Sequence, residues 1–143
     1  MKRISQVVSR LAPLIMVPLV VLPQKVEPPQ IRRVVGLNYP RVPRSIGIQG
    51  KVRLLARVLE DGSVGEVRVT EDKVFLTEPA KESLSRWIFS GCAGPQELCA
   101  VEVTFTFKLT DEVCKMQECP SEFRLDLPGS VTIEAKRFPA NIN

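Results

Sequence analysis

Four cysteines, Cys92, Cys99, Cys114 and Cys119, and a complete lack of histidine set the chemistry open to this sequence. Without imidazole there is no Ser-His-Asp or Cys-His nucleophile system, no histidine metal site and no side chain that shuttles protons near neutral pH, so most hydrolase classes fall away. An even number of cysteines in a chain that opens like an exported protein points to disulfides. Local pairing, Cys92 with Cys99 and Cys114 with Cys119, is expected. The alternating stretch between Cys99 and Cys114 reads as a strand that holds those two far apart, and a bridge needs Cα atoms within about 7 Å. Neither pair has the CxxC spacing of a zinc knuckle or a redox motif, so no metal and no cofactor is expected. Glu60-Asp61 and Glu71-Asp72 are the carboxylate pairs a glycosidase would need, but a hairpin turn and a strand exit make them charged loop residues with nothing to raise a pKa. No enzymatic activity is expected.

The elements that would position these groups begin after a distinct amino end. The chain has 143 residues, 44% hydrophobic and 25% charged, the size of one small domain with extensions. Residues 1–23 carry Lys2 and Arg3 ahead of an apolar run from Leu11 to Leu22, interrupted by Pro13 and Pro18. This is the form of an export signal, or of a short membrane anchor if it is not cleaved. The formal charge of +4 comes from 20 basic and 16 acidic residues, and three of the basic ones, Lys2, Arg3 and Arg10, lie in that segment. The body is then nearly neutral, which removes the main support for nucleic-acid binding. Residues 24–38, with Pro28-Pro29 and Arg32-Arg33, read as an extended linker or arm that reaches at most about 50 Å.

Lys51 to Leu59 alternates, with Val52, Leu54, Ala56 and Val58 on one side, and Val64 to Thr70 returns after Glu60-Asp61-Gly62-Ser63. This predicts a hairpin with one dry face, Gly62 supplying a positive φ at the turn. Thr77-Glu78-Pro79 reads as a capped helix start, and Ala80, Leu84 and Trp87 form one apolar stripe along a helix to about Trp87. Val101, Val103, Phe105, Phe107 and Leu109 make the clearest strand, and Phe123 to Ala135 a second hairpin or an added edge strand about Pro128-Gly129. The fold class expected is α+β: two layers, an antiparallel sheet of three or more strands, and one longer and one short helix on one face.

The run Tyr39-Pro40-Arg41-Val42-Pro43-Arg44-Ser45-Ile46-Gly47-Ile48-Gln49-Gly50 resembles the opening of the TonB carboxy-terminal domain family: Tyr-Pro, a short helix, Gly-x-x-Gly, then a strand. The Asp61-Gly62 turn, the Val64-to-Val69 strand, the helix ending in Arg86-Trp87-Ile88-Phe89 and the final alternating strand follow the same order, so that the resemblance covers residues 39–109. Pro43 replaces the usual alanine, Glu71-Asp72-Lys73 replaces a small Ser-Ser-Gly stretch, and residues 110–143 with their two cysteines lie outside the pattern, as a disulfide loop and carboxy-terminal strand extension.

The resemblance implies a periplasmic module that binds by β-strand addition, a partner strand completing an open sheet edge. It implies as partner an outer-membrane TonB-dependent transporter or another envelope protein, with a second copy of the chain as a further candidate, no nucleic acid, and membrane contact only through an uncleaved amino end. With a short linker and an interrupted apolar segment, the expectation is a domain exported on its own, with a structural envelope module or a short membrane-anchored transducer as the alternatives. The candidate binding edge is the third strand, Val101, Val103, Thr104, Phe105 and Phe107. Tyr39, Pro40 and Arg41 are candidate partner contacts, although a tyrosine and proline at a helix entry also serve packing and capping. Arg41 and Arg44 read as a solvated face, with an acidic partner as the alternative. Val131 to Arg137 has the pattern to pair with the third strand from within the chain, which would close the edge.

Overall fold

A computed structural model describes residues 12–21, 27–115 and 119–139. In chain order the elements are β1 (Ile31–Arg33), α1 (Arg41–Ile46), β2 (Gly50–Val58), β3 (Val64–Glu71), α2 (Thr77–Ser85), β4 (Ile88–Phe89), β5 (Ala100–Val113), β6 (Glu122–Asp126) and β7 (Ser130–Arg137). The expected α+β class is the observed one. Five strands form one sheet in the order β3-β2-β5-β7-β6, and β1 pairs with β4 in a small second sheet.

Alternation builds the core as expected. Val52, Leu54, Ala56 and Val58 of β2, Val103, Phe105, Phe107 and Leu109 of β5, and Val131, Ile133 and Ala135 of β7 are all buried on one face. Each large side chain removed from water there contributes about 1.5–3 kcal/mol. Helix α2 covers that face with Ala80 and Leu84, and Trp87 follows, its indole 5.8 Å from the Phe105 ring. Tyr39, just before α1, sets its ring edge on Phe107 at 5.5 Å. Both helices therefore sit over the face from which Phe105 and Phe107 project, and the opposite face carries Lys51, Arg53, Thr104 and Thr106.

Several local expectations change. The helix ends at Ser85, two residues before Trp87, whose N–H bonds the Leu84 carbonyl in a tighter last turn. Thr77 does not cap helix amides: the residue at the cap is Leu76, and the Thr77 hydroxyl instead accepts the Lys73 N–H at 2.9 Å and donates to the Asp72 carboxylate, pinning the preceding loop. The dry face of the first hairpin fades along β3, where Val67 is half-buried and Val69 is 37% exposed. At the turn, Gly62 has φ +89°, and a Cβ there would lie 2.1 Å from the Phe89 carbonyl oxygen, so the glycine serves close packing as well as conformation.

The extended arm is docked, not free. Gln30 N–H bonds the Ser90 hydroxyl at 2.8 Å, β1 pairs with β4, and the Val35 carbonyl accepts from the Ser83 hydroxyl and the Trp87 indole N–H. Residues 1–11 and 22–26, which hold much of the expected export signal and the start of the arm, lie outside the described residues. Residues 12–21 are exposed without regular structure, and among the described residues no helix is long and apolar enough to cross a membrane.

The carboxy-terminal half places strands differently from a simple added edge. The β2–β3, β2–β5 and β6–β7 pairings are antiparallel, but β5–β7 is parallel. After β5 the chain swings wide, comes back as the outermost strand β6, and turns at Leu127-Pro128-Gly129 so that β7 enters the slot between them. Burial explains the order: β7 carries three buried apolar side chains, β6 only the half-buried Phe123 and Leu125, so β7 takes the inner position. Gly129 permits the entry, since a Cβ there would stand 2.6 Å from the Glu102 carbonyl oxygen. The expected disulfides both form, with Cα atoms 5.7 Å apart at Cys92–Cys99 and 6.0 Å apart at Cys114–Cys119. The second clips the excursion between β5 and β6, where the Cys114 N–H also bonds the Arg137 carbonyl.

Candidate functional site

The sequence points to two places, the β5 edge and the segment around Tyr39. Along β5, Val103, Phe105 and Phe107 turn their side chains into the core, and Val101 and Thr104 are half-buried. One backbone side is taken by β2, from Arg57 opposite Ala100 to Gly50 opposite Phe107. The other side is taken by β7, from Ser130 beside Thr104 to Lys136 beside Thr110, with the Thr104 N–H donating to the Gly129 carbonyl at 2.9 Å. The start of β5, Ala100 to Val103, has no β7 residue in register, nor do Asp111 and Glu112, where the pairing is irregular before Val113 meets Arg137. The outer edges of the sheet are those of β3 and of the five-residue β6, Glu-Phe-Arg-Leu-Asp, which is short and charged in the manner of a protected edge.

The second place is built where α1 meets the carboxy-terminal tail. Pro40 stands at the cap position of α1 and its carbonyl accepts the Arg44 N–H, while Gly47 closes the helix at φ +77°. Tyr39 is 4% exposed. Its backbone N–H donates to the Ser121 hydroxyl at 2.8 Å and its phenol donates to the Ile48 carbonyl. Arg41 is exposed, as read from sequence, but Arg44 is not: it is 6% exposed. Its Nε donates to the Lys136 carbonyl and its Nη1 to the Cys119 carbonyl, each at 2.8 Å, its guanidinium lies 4.2 Å over the Phe138 ring, and Nη2 has no hydrogen-bond partner among the described residues. The solvated-face reading fails for Arg44 because β7 and the clipped loop fold onto it. Sequence inspection could not flag Cys119, Lys136 or Phe138 as its neighbours, for nothing local links them to residue 44.

Burial dominates the electrostatics here. It pushes the Tyr39 phenol up from 10.0 to about 12, with Arg137 and Arg44 pulling the other way, and it pulls the Arg44 guanidinium below its usual value, against the opposing influence of Tyr39. The neutral phenol is the form that folding favours. Its contribution is therefore fully present below pH 10 and is lost as pH climbs toward 12, where the unfolded chain alone is ionised. A rise of that size corresponds to about 3 kcal/mol. We expect Tyr39→Phe to flatten the fall in urea-unfolding free energy between pH 10 and pH 12, and to lose about 1 kcal/mol at pH 7 with the bond to Ile48. Parallel slopes in the two proteins over that range would contradict this.

The carboxylate pairs stand at the hairpin turn and at the exit of β3, whose last residue is Glu71. Asp61 accepts the Ser63 hydroxyl at 2.6 Å and its N–H at 3.0 Å, which hold its carboxyl below the ordinary range, and Glu71 pairs with Arg53 at 3.0 Å. Among the described residues no group of three metal-ligating side chains is close enough to hold an ion.

Residues 35–109 match the family model described as Gram-negative bacterial TonB protein C-terminal, just over half of the chain. The match begins at Val35, whose carbonyl anchors Trp87, and ends inside β5, so the Cys114–Cys119 clip and the β6–β7 hairpin lie beyond it. No curated protein matches the chain.

Proposed function

Because the chain belongs to the TonB carboxy-terminal family, we propose that it is a non-catalytic interaction module of the cell envelope whose strand-docking edge is filled by its own carboxy-terminal hairpin. The observation that carries this is the parallel seating of β7 along Thr104 to Thr110 of β5, where an incoming partner strand would have to lie. A periplasmic setting is supported by the two disulfides, which persist in oxidising compartments, and by the apolar amino end with its export-signal form. Partners, an outer-membrane TonB-dependent transporter or another envelope protein, are then met through side-chain surfaces and not through the backbone of β5.

Titrating the isotopically labelled chain with an extended peptide from such a transporter tests this by NMR. The amide signals of Thr104, Thr106 and Lys108 should stay in place. Movement of those signals, together with loss of the native β7 signals, would mean that the hairpin is displaced and that strand addition at β5 operates after all.

A further inference from the structure

We propose that the cavity between α1 and the carboxy-terminal tail, of about 440 Å³ and walled by Tyr39, Arg41, Arg44, Ser121 and Phe138, binds a carboxylate carried on a peptide. The first support is an uncompensated positive charge. Arg44 is nine-tenths buried with one guanidinium nitrogen, Nη2, left without an acceptor, and buried polar groups in folded proteins are nearly always partnered. The second is the composition of the walls. Among the described residues Arg41 joins Arg44, no acidic residue lines the cavity, and the four ion pairs use Arg53, Arg86, Arg124 and Lys136, leaving Arg41, Arg44 and Arg137 outside them.

The ligand class follows from what remains free. Arg44 has committed Nε and Nη1 to the Lys136 and Cys119 carbonyls, and the Tyr39 phenol is committed to Ile48. Nη2 is itself closed off from solvent, so the site offers the exposed head of Arg41 for a direct charge-assisted bond to a carboxylate, with the buried, unpaired charge of Arg44 behind it. A phosphate, with more acceptor oxygens, would leave several unmatched. Phe138 and Pro120 supply an apolar side for the body of a peptide residue, and the volume holds a residue or two. The carboxylate has two sources, a chain terminus or an Asp or Glu side chain. The inference rests on the reading of the chain as an interaction module, but the site lies away from the Thr104 amide that reports the β5 edge.

The test uses the full chain and three tripeptides: acetyl-Gly-Leu-Phe with a free carboxyl end, the same peptide as its amide, and acetyl-Gly-Leu-Asp amide. Binding is followed by the Tyr39 and Ser121 amide signals. The expected result is that at least one carboxylate peptide binds tenfold or more tightly than the amide of the first. Whichever acid wins names the source. Arg41→Gln, at an exposed position that leaves the fold intact, should erase that tenfold preference, and Arg44→Lys should weaken it. Inorganic phosphate at tenfold excess should not displace the acid. Equal binding of acid and amide, no binding of any peptide at millimolar concentration, an unchanged preference in Arg41→Gln, or displacement by phosphate would each overturn the proposal. Movement of the Thr104 signal would instead count against the closed edge.

Discussion

Replacing Trp87 by alanine should lower the unfolding free energy by about 3–5 kcal/mol, a large part of the 5–15 kcal/mol that such a domain has in total. Trp87 is fully buried, and its ring lies 5.8 Å from Phe105 and 6.2 Å from Phe89. It joins three pieces of chain far apart in sequence: the end of α2, the centre of β5, and the docked arm through the 3.3 Å bond from its indole N–H to the Val35 carbonyl. Alanine removes the ring contacts and leaves that carbonyl with only the Ser83 hydroxyl. Trp87→Phe keeps most of the volume and should lose clearly less. Urea unfolding followed by circular dichroism measures both, since the variants have no other tryptophan to report. A loss below about 1 kcal/mol in the alanine variant would show that the arm and helix are not held through this side chain.

The second large effect is local. Ile133→Asp places a carboxylate at a fully buried position of β7, in register with Phe107 on one side and Phe123 on the other. An unpaired charge there costs several kcal/mol. The expected outcome is release of the β6–β7 hairpin with the rest of the core, built from β2, β5 and α2, still folded. Amide exchange reads the difference. The Thr104 N–H, bonded to Gly129, the Cys114 N–H, bonded to Arg137, and the Tyr39 N–H, bonded to Ser121, should exchange on the order of 100-fold faster, while Leu59, bonded to Ser63 in the first hairpin, keeps its protection. If Leu59 loses protection together with Thr104, the hairpin is not a separable addition to the family fold.

The contrast between those two sites tracks what was legible before the fold was known. Trp87 could be read because a helical stripe of Ala80, Leu84 and Trp87 declares its own face, and β2 and β5 likewise declare theirs by strict alternation. The disulfide pairing was legible because a strand between Cys99 and Cys114 forbids the alternative. Periodicity reports faces and not neighbours. It marked Val131, Ile133 and Ala135 as one side of a strand, and named β5 as a neighbour that strand would fit, but could not show that β7 would run parallel to it with β6 outside, because that depends on which of two strands buries more apolar surface. The burial of Arg44 was out of reach for the same reason. Its carbonyl partners, Cys119 and Lys136, are 75 and 92 residues away, and charge alone makes an arginine look like surface. The sequence marks the arm as extended, which it is, but its docking rests on Ser90, Ser83 and Trp87, again distant in sequence.

The slot occupied by β7 has a consequence for the newborn molecule. Synthesis delivers β5 well before β7, with β6 and the clipped loop between them. Until β7 follows, the row of amides and carbonyls from Thr104 to Thr110 stands bare beside an apolar face, so each nascent copy is sticky toward its siblings for as long as β7 is still emerging.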